Sequence, residues 1–238
     1  LIFPNQPLSD DDLERFTLYF GSFGDDPFIA SIPGRKNIIA VKRTADEKVP
    51  VFADNWHTDW SFQANPPAGT CLFGKIIPTE GGDTLFANQH LAYEALSDGM
   101  KSLLQNLKAV NSDRLVAGPG AAARSSGRAT KARTDCEWRE TISIHPVVRT
   151  HPETGRKSLF VNHSYTVGLE GMSDEESKPL LDWLMDWGHR PEFTCRFRWR
   201  KGSVAFWDNR CTKHIAVDDV YDYRRIMRRV QVAGDRPY

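Results

Sequence analysis

Hydrophobic residues fall into short runs along most of the chain, and turn-forming residues separate the runs. Asn37–Lys42, Thr70–Ile77 and Ser203–Trp207 are nearly continuous apolar runs of strand length, which predicts buried strands. Phe193–Trp199 alternates aromatic residues with arginines, as a half-exposed strand would. Further strand-like runs lie at 84–86, 141–148, 157–161 and 225–232.

Helix signals are fewer than strand signals. Ser9 precedes three aspartates, and Ser173 begins a Ser-Asp-Glu-Glu capping box, so each serine predicts a helix start. One or two further helices are predicted from about 89 to 107, where Ser97 can cap the second. Many short strands with few helices predict a mainly β fold with helical cover. A double-stranded β-helix, or jelly roll, fits this pattern.

The length of the chain permits one large domain or two small ones, and we expect a single domain over residues 1–238. Residues 118–134 are rich in Gly, Ala, Ser, Arg and Lys and lack apolar periodicity, which predicts a flexible loop or a lid. The basic residues of this loop could cover an anionic site, but a solvated loop explains them equally well. They are Arg124, Arg128, Lys131 and Arg133. The chain begins without Met, and we expect that an N-terminal portion of the protein precedes it.

The composition argues against several partners. The 31 basic and 31 acidic residues balance, so no bulk charge favours nucleic acid or a membrane surface. No apolar run approaches the roughly 18 residues of a membrane span. Neither a Gly-x-Gly-x-x-Gly nor a Gly-Lys-Ser/Thr loop occurs. The four cysteines are widely spaced, which is typical of reduced thiols in a cytoplasmic protein.

The first candidate for chemistry is the pair His57 and Asp59 in the aromatic-rich segment Asn55–Trp60. On an extended strand, positions i and i+2 point to the same side, so both groups could meet one ion. One His and one carboxylate supply two of the three ligands of a non-haem Fe(II) facial triad. About one His-x-Asp/Glu is expected by chance from the composition. A second one, His151-Pro152-Glu153, lies where Pro and Gly predict a hairpin turn.

His214, beyond the predicted strand Ser203–Trp207, is the candidate third ligand. A lone His is more often structural, but the last predicted strand places Arg225, Met227 and Arg229 on one face. A buried guanidinium requires a partner, and its geometry suits a carboxylate. Two such groups beside a metal predict two anions in one pocket. The alternative is an ordinary solvated basic edge made by Arg224, Arg225, Arg228 and Arg229.

Four motifs carry a resemblance to a known family. They are Asn55-Trp56-His57-Thr58-Asp59, Gly81-Gly82-Asp83-Thr84-Leu85-Phe86, Trp207-Asp208-Asn209-Arg210 with His214, and Arg224-Arg225-Ile226-Met227 with Arg229. In this order and spacing they resemble the taurine dioxygenase family. This is the group of Fe(II)/2-oxoglutarate dioxygenases that also includes 2,4-dichlorophenoxyacetate dioxygenase and alkylsulfatases. The resemblance continues through His145–Pro152 and Leu159–Asn162 and covers nearly the whole chain.

The resemblance implies Fe(II) as cofactor, 2-oxoglutarate as co-substrate and O2 as oxidant. It implies hydroxylation of a small anionic substrate, such as a sulfonate like taurine, an alkyl sulfate or a phenoxyalkanoate, with release of succinate and CO2. The implied iron ligands are His57, Asp59 and His214, and the implied 2-oxoglutarate residues are Thr84 and Arg225.

The resemblance also implies that Arg229, Tyr165 and Trp60 contact the substrate. Trp60 stands where the taurine enzyme has a smaller aliphatic residue, which argues against taurine itself. We expect further substrate contacts within Ser22–Gly34. We also expect a homo-oligomer. Two other hypotheses use the same groove: a non-catalytic jelly-roll protein that binds a small anion, and a zinc hydrolase that turns over without oxygen.

Overall fold

The structure is a computed structural model that describes residues 1–121, 127–130, 132–133 and 137–238. The helices are α1 (Asp10–Leu18), α2 (Gln89–Glu94), α3 (Asp98–Leu104), α4 (Arg114–Ala117), α5 (Asp174–Trp187) and a 3₁₀ turn at Pro191–Phe193. The first seven strands are β1 (Ile2–Phe3), β2 (Ile39–Arg43), β3 (Gly69–Ile76), β4 (Thr84–Asn88), β5 (Lys108–Ser112), β6 (Ile142–Pro146) and β7 (Val148–Thr150). The remaining strands are β8 (Lys157–Leu159), β9 (Thr166–Leu169), β10 (Thr194–Phe197), β11 (Val204–Asp208), β12 (Thr212–Ala216) and β13 (Arg225–Val232).

Two antiparallel sheets form the centre of the molecule. The larger has five strands in the order β1-β11-β3-β13-β2, and the smaller has three in the order β10-β4-β12. Leu72, Trp207 and Met227 of the larger sheet share one apolar cluster with the partly buried Phe86 and Phe197 of the smaller sheet. The two sheets therefore enclose a common core, and the prediction of a mainly β fold with few helices is confirmed.

Helix α1 covers the other face of the larger sheet. Side chains alternate between the faces of a strand, so Leu72 joins the core between the sheets while Cys71 and Phe73 pack with Leu13 of α1. The predicted cap is present, since the Ser9 hydroxyl accepts from the Asp12 amide and the Asp12 carboxylate accepts from the Ser9 amide. The acidic first turn of α1 also suits the positive end of the helix dipole.

Helices α2, α3 and α5 pack against the two small sheets, β6-β5-β9 and β7-β8. A second core joins Leu104 of α3 and Leu184 of α5 to Ala109, Val148 and Leu169 of these strands. The predicted caps of α3 and α5 are present at Ser97 and Ser173. In the described part of the chain, no helix combines the length and the hydropathy that a membrane span requires.

Some predictions made from the sequence differ from the structure, and others are not tested by it. Strands β5, β9 and β12 were not expected, because their residues mix polar and apolar side chains without clear alternation. The expected loop at 118–134 falls partly outside the described residues, including Arg124 and Lys131. Within its described part, the Thr130 side chain exchanges two hydrogen bonds with the backbone of Lys42 on β2, both at 2.9 Å. The lid stays a prediction, as do the homo-oligomer and the cytoplasmic location.

Candidate metal centre and substrate cavity

His57 and His214 are neighbours in a short backbone pairing between the loop after β2 and strand β12. The amide of His57 donates to the carbonyl of His214 at 3.0 Å, and the amide of His214 donates back at 2.8 Å. Only His57 is in this extended bridge, because Asp59 already begins a turn. We expected both residues of the His-x-Asp pair on an extended strand, and only His57 has that conformation.

The three predicted ligands form a buried cluster of His57, Asp59 and His214, which we call the buried cluster. The Nε2 atoms of His57 and His214 lie 3.5 Å and 3.9 Å from Oδ1 of Asp59. One candidate ligand atom from each residue lies within 4.8 Å of the others. The structure thus brings together two residues from one loop and one residue that follows more than 150 positions later.

A chain of hydrogen bonds orients the carboxylate of the buried cluster. Oδ2 of Asp59 accepts from the Thr70 hydroxyl at 2.6 Å. The Thr70 oxygen accepts from the Asn209 side-chain amide at 2.9 Å, and Asn209 accepts from the Trp207 indole at 2.9 Å. Such outer groups fix the orientation of metal ligands and tune their affinity.

The remaining atoms of the buried cluster fit a metal ion. Oδ1 of Asp59 is buried and accepts no hydrogen bond from any residue that the structure describes. Nδ1 of His57 lies 2.8 Å from the carbonyl oxygen of Asn55, which fixes the proton on Nδ1 and leaves the Nε2 lone pair free. A buried carboxylate oxygen without a partner is costly unless a cation satisfies it. Two imidazoles and a carboxylate are a ligand set that suits Fe(II).

The protonation states also suit metal binding. Burial raises the pKa of Asp59, but His214, His57 and Arg229 outweigh burial and hold this pKa well below its usual value. Burial and the neighbouring His57 lower the pKa of His214 to about 3. The carboxylate is therefore ionised and the His214 imidazole is neutral near pH 7, as metal ligands must be.

Arg225, the predicted 2-oxoglutarate residue, points toward the turn that precedes β4. Its Nη2 donates to the carbonyl of Gly82 at 3.1 Å, and its Nε is buried and has no acceptor among the described residues. Gly82 has φ +71°, and a Cβ there would lie 3.1 Å from Nε of Arg225, so only glycine permits this approach. Burial lowers the pKa of Arg225 to about 10, against the opposing effect of Asp219 and Asp83, which keeps the group charged at neutral pH.

Thr84, the other predicted 2-oxoglutarate residue, begins β4 two positions after Gly82. Its hydroxyl oxygen is buried and accepts from the Trp199 indole at 2.9 Å. The hydroxyl proton of Thr84 is then available for a second, acceptor group.

A cavity of about 540 Å³ opens on the buried cluster, because His57 is part of its wall. Five aromatic residues form part of its wall: Phe28, Phe52, Trp60, Phe62 and Tyr165. The Tyr165 ring lies 6.4 Å from the His57 ring, and burial raises the pKa of its hydroxyl well above the usual value. Trp60 and Tyr165, two of the three predicted substrate residues, therefore line one cavity together with a predicted iron ligand.

Arg229, the third predicted substrate residue, already has an anionic partner. Its Nη2 donates to Oδ2 of Asp26, and both side chains are buried. Its guanidinium lies over the rings of Trp60 and Phe52, at 5.0 Å and 5.6 Å from the ring centres. An anionic substrate group that approaches Arg229 must compete with Asp26.

Asp26 is the residue of this site that sequence reasoning missed, although it lies inside the segment expected to hold substrate contacts. Its Oδ1 accepts from the amides of Phe28 and Ile29 at 3.0 Å and 2.7 Å, so it also shapes the cavity wall. The Asp26-Pro27 dipeptide signals such a turn, but nothing in the sequence pairs Asp26 with Arg229.

The second His-x-Glu motif, His151-Pro152-Glu153, lies in the turn between β7 and β8, as predicted. His151 Nε2 lies 3.0 Å from Oδ2 of Asp208. The Arg210 side chain donates one hydrogen bond to each carboxylate oxygen of Asp208, from Nε to Oδ1 and from Nη2 to Oδ2. Glu153 pairs with Arg210 at 2.7 Å. His151 and Asp208 also lie close to Cys211, but Glu153 pairs with Arg210 and is not part of that group.

Comparisons with known proteins match this chain and its fold to one family. Residues 1–231 match the model of the taurine catabolism dioxygenase TauD, TfdA family. An alkylsulfatase of Acinetobacter baylyi is 36% identical over 97% of this chain and 71% of its own length. An alpha-ketoglutarate-dependent sulfate ester dioxygenase of Pseudomonas putida is 33% identical over 97% of this chain and 75% of its own length. The crystal structure of a taurine dioxygenase from Burkholderia xenovorans superposes with a TM-score of 0.80 and 32% identity, over 99% of this chain and 77% of that one.

The site and these matches define a 2-oxoglutarate-dependent dioxygenase, whose cofactors are Fe(II), 2-oxoglutarate and O2. The chain belongs to the TauD/TfdA family. The predicted family, enzyme class and cofactors are thereby confirmed.

Proposed function

We propose that the protein hydroxylates a small anionic substrate and releases succinate and CO2. The substrate classes are a sulfonate such as taurine, an alkyl sulfate and a phenoxyalkanoate. We further propose that the two central sheets form a double-stranded β-helix, or jelly roll. The observation that carries this function is the buried cluster, whose unpartnered Asp59 oxygen faces two Nε2 atoms beside an aromatic cavity.

His57, Asp59 and His214 would hold the iron. When bound, Fe(II) supplies the redox chemistry that lets O2 react with 2-oxoglutarate and with a substrate C–H bond. Thr70 orients Asp59 through its hydroxyl, and the Asn55 carbonyl orients the ring of His57. Three protein ligands leave room on a six-coordinate ion for other ligands, which suits a co-substrate and oxygen.

Arg225 and Thr84 would bind the carboxylate of 2-oxoglutarate that lies far from the iron. The buried Nε of Arg225 has no partner among the described residues, and Thr84 has a hydroxyl proton to donate. A charged and a neutral donor suit one carboxylate. In the overall reaction, one oxygen atom enters succinate as CO2 leaves, and the other becomes the new hydroxyl of the product.

Trp60, Tyr165 and Arg229 would position the substrate. The two aromatic side chains line the cavity at the buried cluster, where a target C–H bond must lie. Arg229 provides the positive charge for the substrate anion, in competition with Asp26. If the hydroxylated carbon carries a sulfonate, sulfate or aryl ether, the product collapses to a carbonyl compound and the free leaving group.

The test is an oxygen-uptake and succinate assay with Fe(II), 2-oxoglutarate and matched panels of taurine, other alkylsulfonates, alkyl sulfates and phenoxyalkanoates. We expect one succinate per oxygen consumed and one leaving group per succinate for the true substrate class. A non-catalytic anion-binding protein would release no iron-dependent succinate. A zinc hydrolase would release the leaving group without oxygen.

A further inference from the structure

A second cluster of two histidines and one aspartate lies away from the cavity. His163 follows β8, and Asp186 and His189 lie at the C-terminal end of α5. The Nε2 atoms of His163 and His189 lie 3.8 Å and 3.9 Å from Oδ1 of Asp186. One candidate ligand atom from each residue lies within 4.8 Å of the others. We call this set the surface cluster.

The surface cluster has carboxylate–imidazole distances close to those of the buried cluster, although its two imidazole rings lie farther apart, with centres separated by 5.5 Å rather than 4.1 Å. The corresponding Nε2–Oδ1 distances are 3.8 Å and 3.9 Å in one and 3.5 Å and 3.9 Å in the other. These distances in the surface cluster exceed the normal hydrogen-bond range, so the imidazoles face the carboxylate without bonding to it. Zinc–ligand bonds of about 2.0–2.2 Å place two ligands of a tetrahedral ion about 3.4 Å apart. Each Nε2 would therefore have to approach Oδ1 by about half an ångström to reach that separation.

Packing fixes the two imidazoles with Nε2 toward the carboxylate. The His189 ring stacks on Trp56, with ring centres 5.4 Å apart and an interplanar angle of 8°. The amide of His163 donates to the Trp56 carbonyl at 3.2 Å. Nδ1 of each histidine is buried and has no hydrogen-bond partner among the described residues, while Asp186 is largely exposed. An ion from solvent would therefore meet the carboxylate first.

The charge of the imidazoles also favours a cation. Burial lowers the pKa of His163 and of His189, and the buried amine of Lys213 lowers both further. Asp186 acts in the opposite direction on both, and Asp182 does so on His163. Both imidazoles are therefore neutral near pH 7, with Nε2 lone pairs available to a metal.

We propose that His163, Asp186 and His189 form a second metal site that binds Zn²⁺. Zinc accepts imidazole and carboxylate ligands and keeps water in a fourth position when a protein supplies three. Trp56 connects this site to the buried cluster, because it stacks on His189 and directly precedes the iron ligand His57.

The experiment counts zinc ions per chain in metal-free protein by equilibrium dialysis against a weak chelator, followed by elemental analysis. Because zinc also suits the buried cluster, the native protein is expected to bind two ions. Asp59→Asn and Asp186→Asn should each bind one ion fewer than the native protein, and the double variant two fewer. Asp182→Asn removes a carboxylate one turn earlier on α5 and should still bind two, which separates coordination from general electrostatic attraction.

Three outcomes would overturn the proposal: no zinc ion in Asp59→Asn, as many ions in Asp186→Asn as in the native protein, or fewer ions in Asp182→Asn than in the native protein. His163→Gln provides an independent variant and should also bind one ion. Circular dichroism confirms that each variant is folded. The result does not depend on turnover, so failure of the zinc site is distinguishable from failure of the dioxygenase assay.

Discussion

The buried and surface clusters contain the same three residue types with similar carboxylate–imidazole distances, yet only one of them can support the proposed reaction. The side chains of His57, Asp59 and His214 are at most 8% exposed, whereas Asp186 is 76% exposed. The buried carboxylate is oriented by Thr70, and its neighbour His57 lines a cavity of about 540 Å³. A ligand set therefore does not define a catalytic centre, which also requires exclusion of water and space for a substrate.

The difference also has an energetic side. Water solvates an exposed carboxylate, so Asp186 does not require an ion. Asp59 has no such solvation, and a buried charge without a partner is costly. The fold thus makes the buried cluster depend on a metal, whereas it leaves the surface cluster able to bind one reversibly.

Removal of the buried carboxylate should have the largest effect. Asp59→Asn removes a predicted iron ligand and its charge, and we expect iron-dependent succinate release to fall by more than about 100-fold, beyond the loss seen for outer groups. Asp182→Asn on α5 should retain turnover. Equal activity of Asp59→Asn and native protein would remove the distinction between the two clusters.

Arg225→Gln should have the next largest effect, which is weaker binding of 2-oxoglutarate. Loss of one partner of a buried charged contact costs about 2 kcal/mol or more, so the KM for 2-oxoglutarate should rise about 30-fold or more. Arg228→Gln is the matched control, since Arg228 lies on the opposite face of β13 and approaches Asp10. A comparable rise in both variants would contradict the assignment.

Thr70→Val tests whether the hydrogen-bond chain behind Asp59 matters. Its loss should weaken Fe(II) binding by about 10-fold, as outer-shell changes do, while the thermal midpoint reports any loss of stability. Thr17→Val is the control, because its buried hydroxyl donates to the Leu13 carbonyl far from the metal. If both variants bind iron as the native protein does, the hydrogen bond from Thr70 does not contribute to metal binding. It would then not account for a difference between the buried and surface clusters.

Asp26→Asn should produce the smallest change, and in the direction of tighter binding. The amide can still accept from the amides of Phe28 and Ile29, while Arg229 loses its competing anion. A gain of about 1 kcal/mol corresponds to about 5-fold tighter binding of a short sulfonate such as taurine. Asp25→Asn, at an exposed position, should leave this affinity unchanged. Weaker sulfonate binding in Asp26→Asn would show that Asp26 assists the substrate rather than competing with it.

Patterns within short segments of the sequence correctly predicted the last strand and three helix starts. The last strand has the predicted bounds, Arg225–Val232, and the capping serines 9, 97 and 173 each begin a helix. Strand β12 was not predicted, although it carries His214. Its five residues, Thr212–Ala216, become a strand only by pairing with β4, and such pairing leaves little trace in a short mixed segment.

The sequence by itself determined the alternation that builds the sheets, the helix starts, and the motifs that predict His57, Asp59 and His214 as ligands. These features depend on side-chain periodicity and on residue chemistry, which are local properties. Only the tertiary structure decided that Asp26 neutralises Arg229 and that His163 meets Asp186 and His189. Such contacts join segments far apart in the chain, and their geometry follows from the packing of the whole fold rather than from either segment alone.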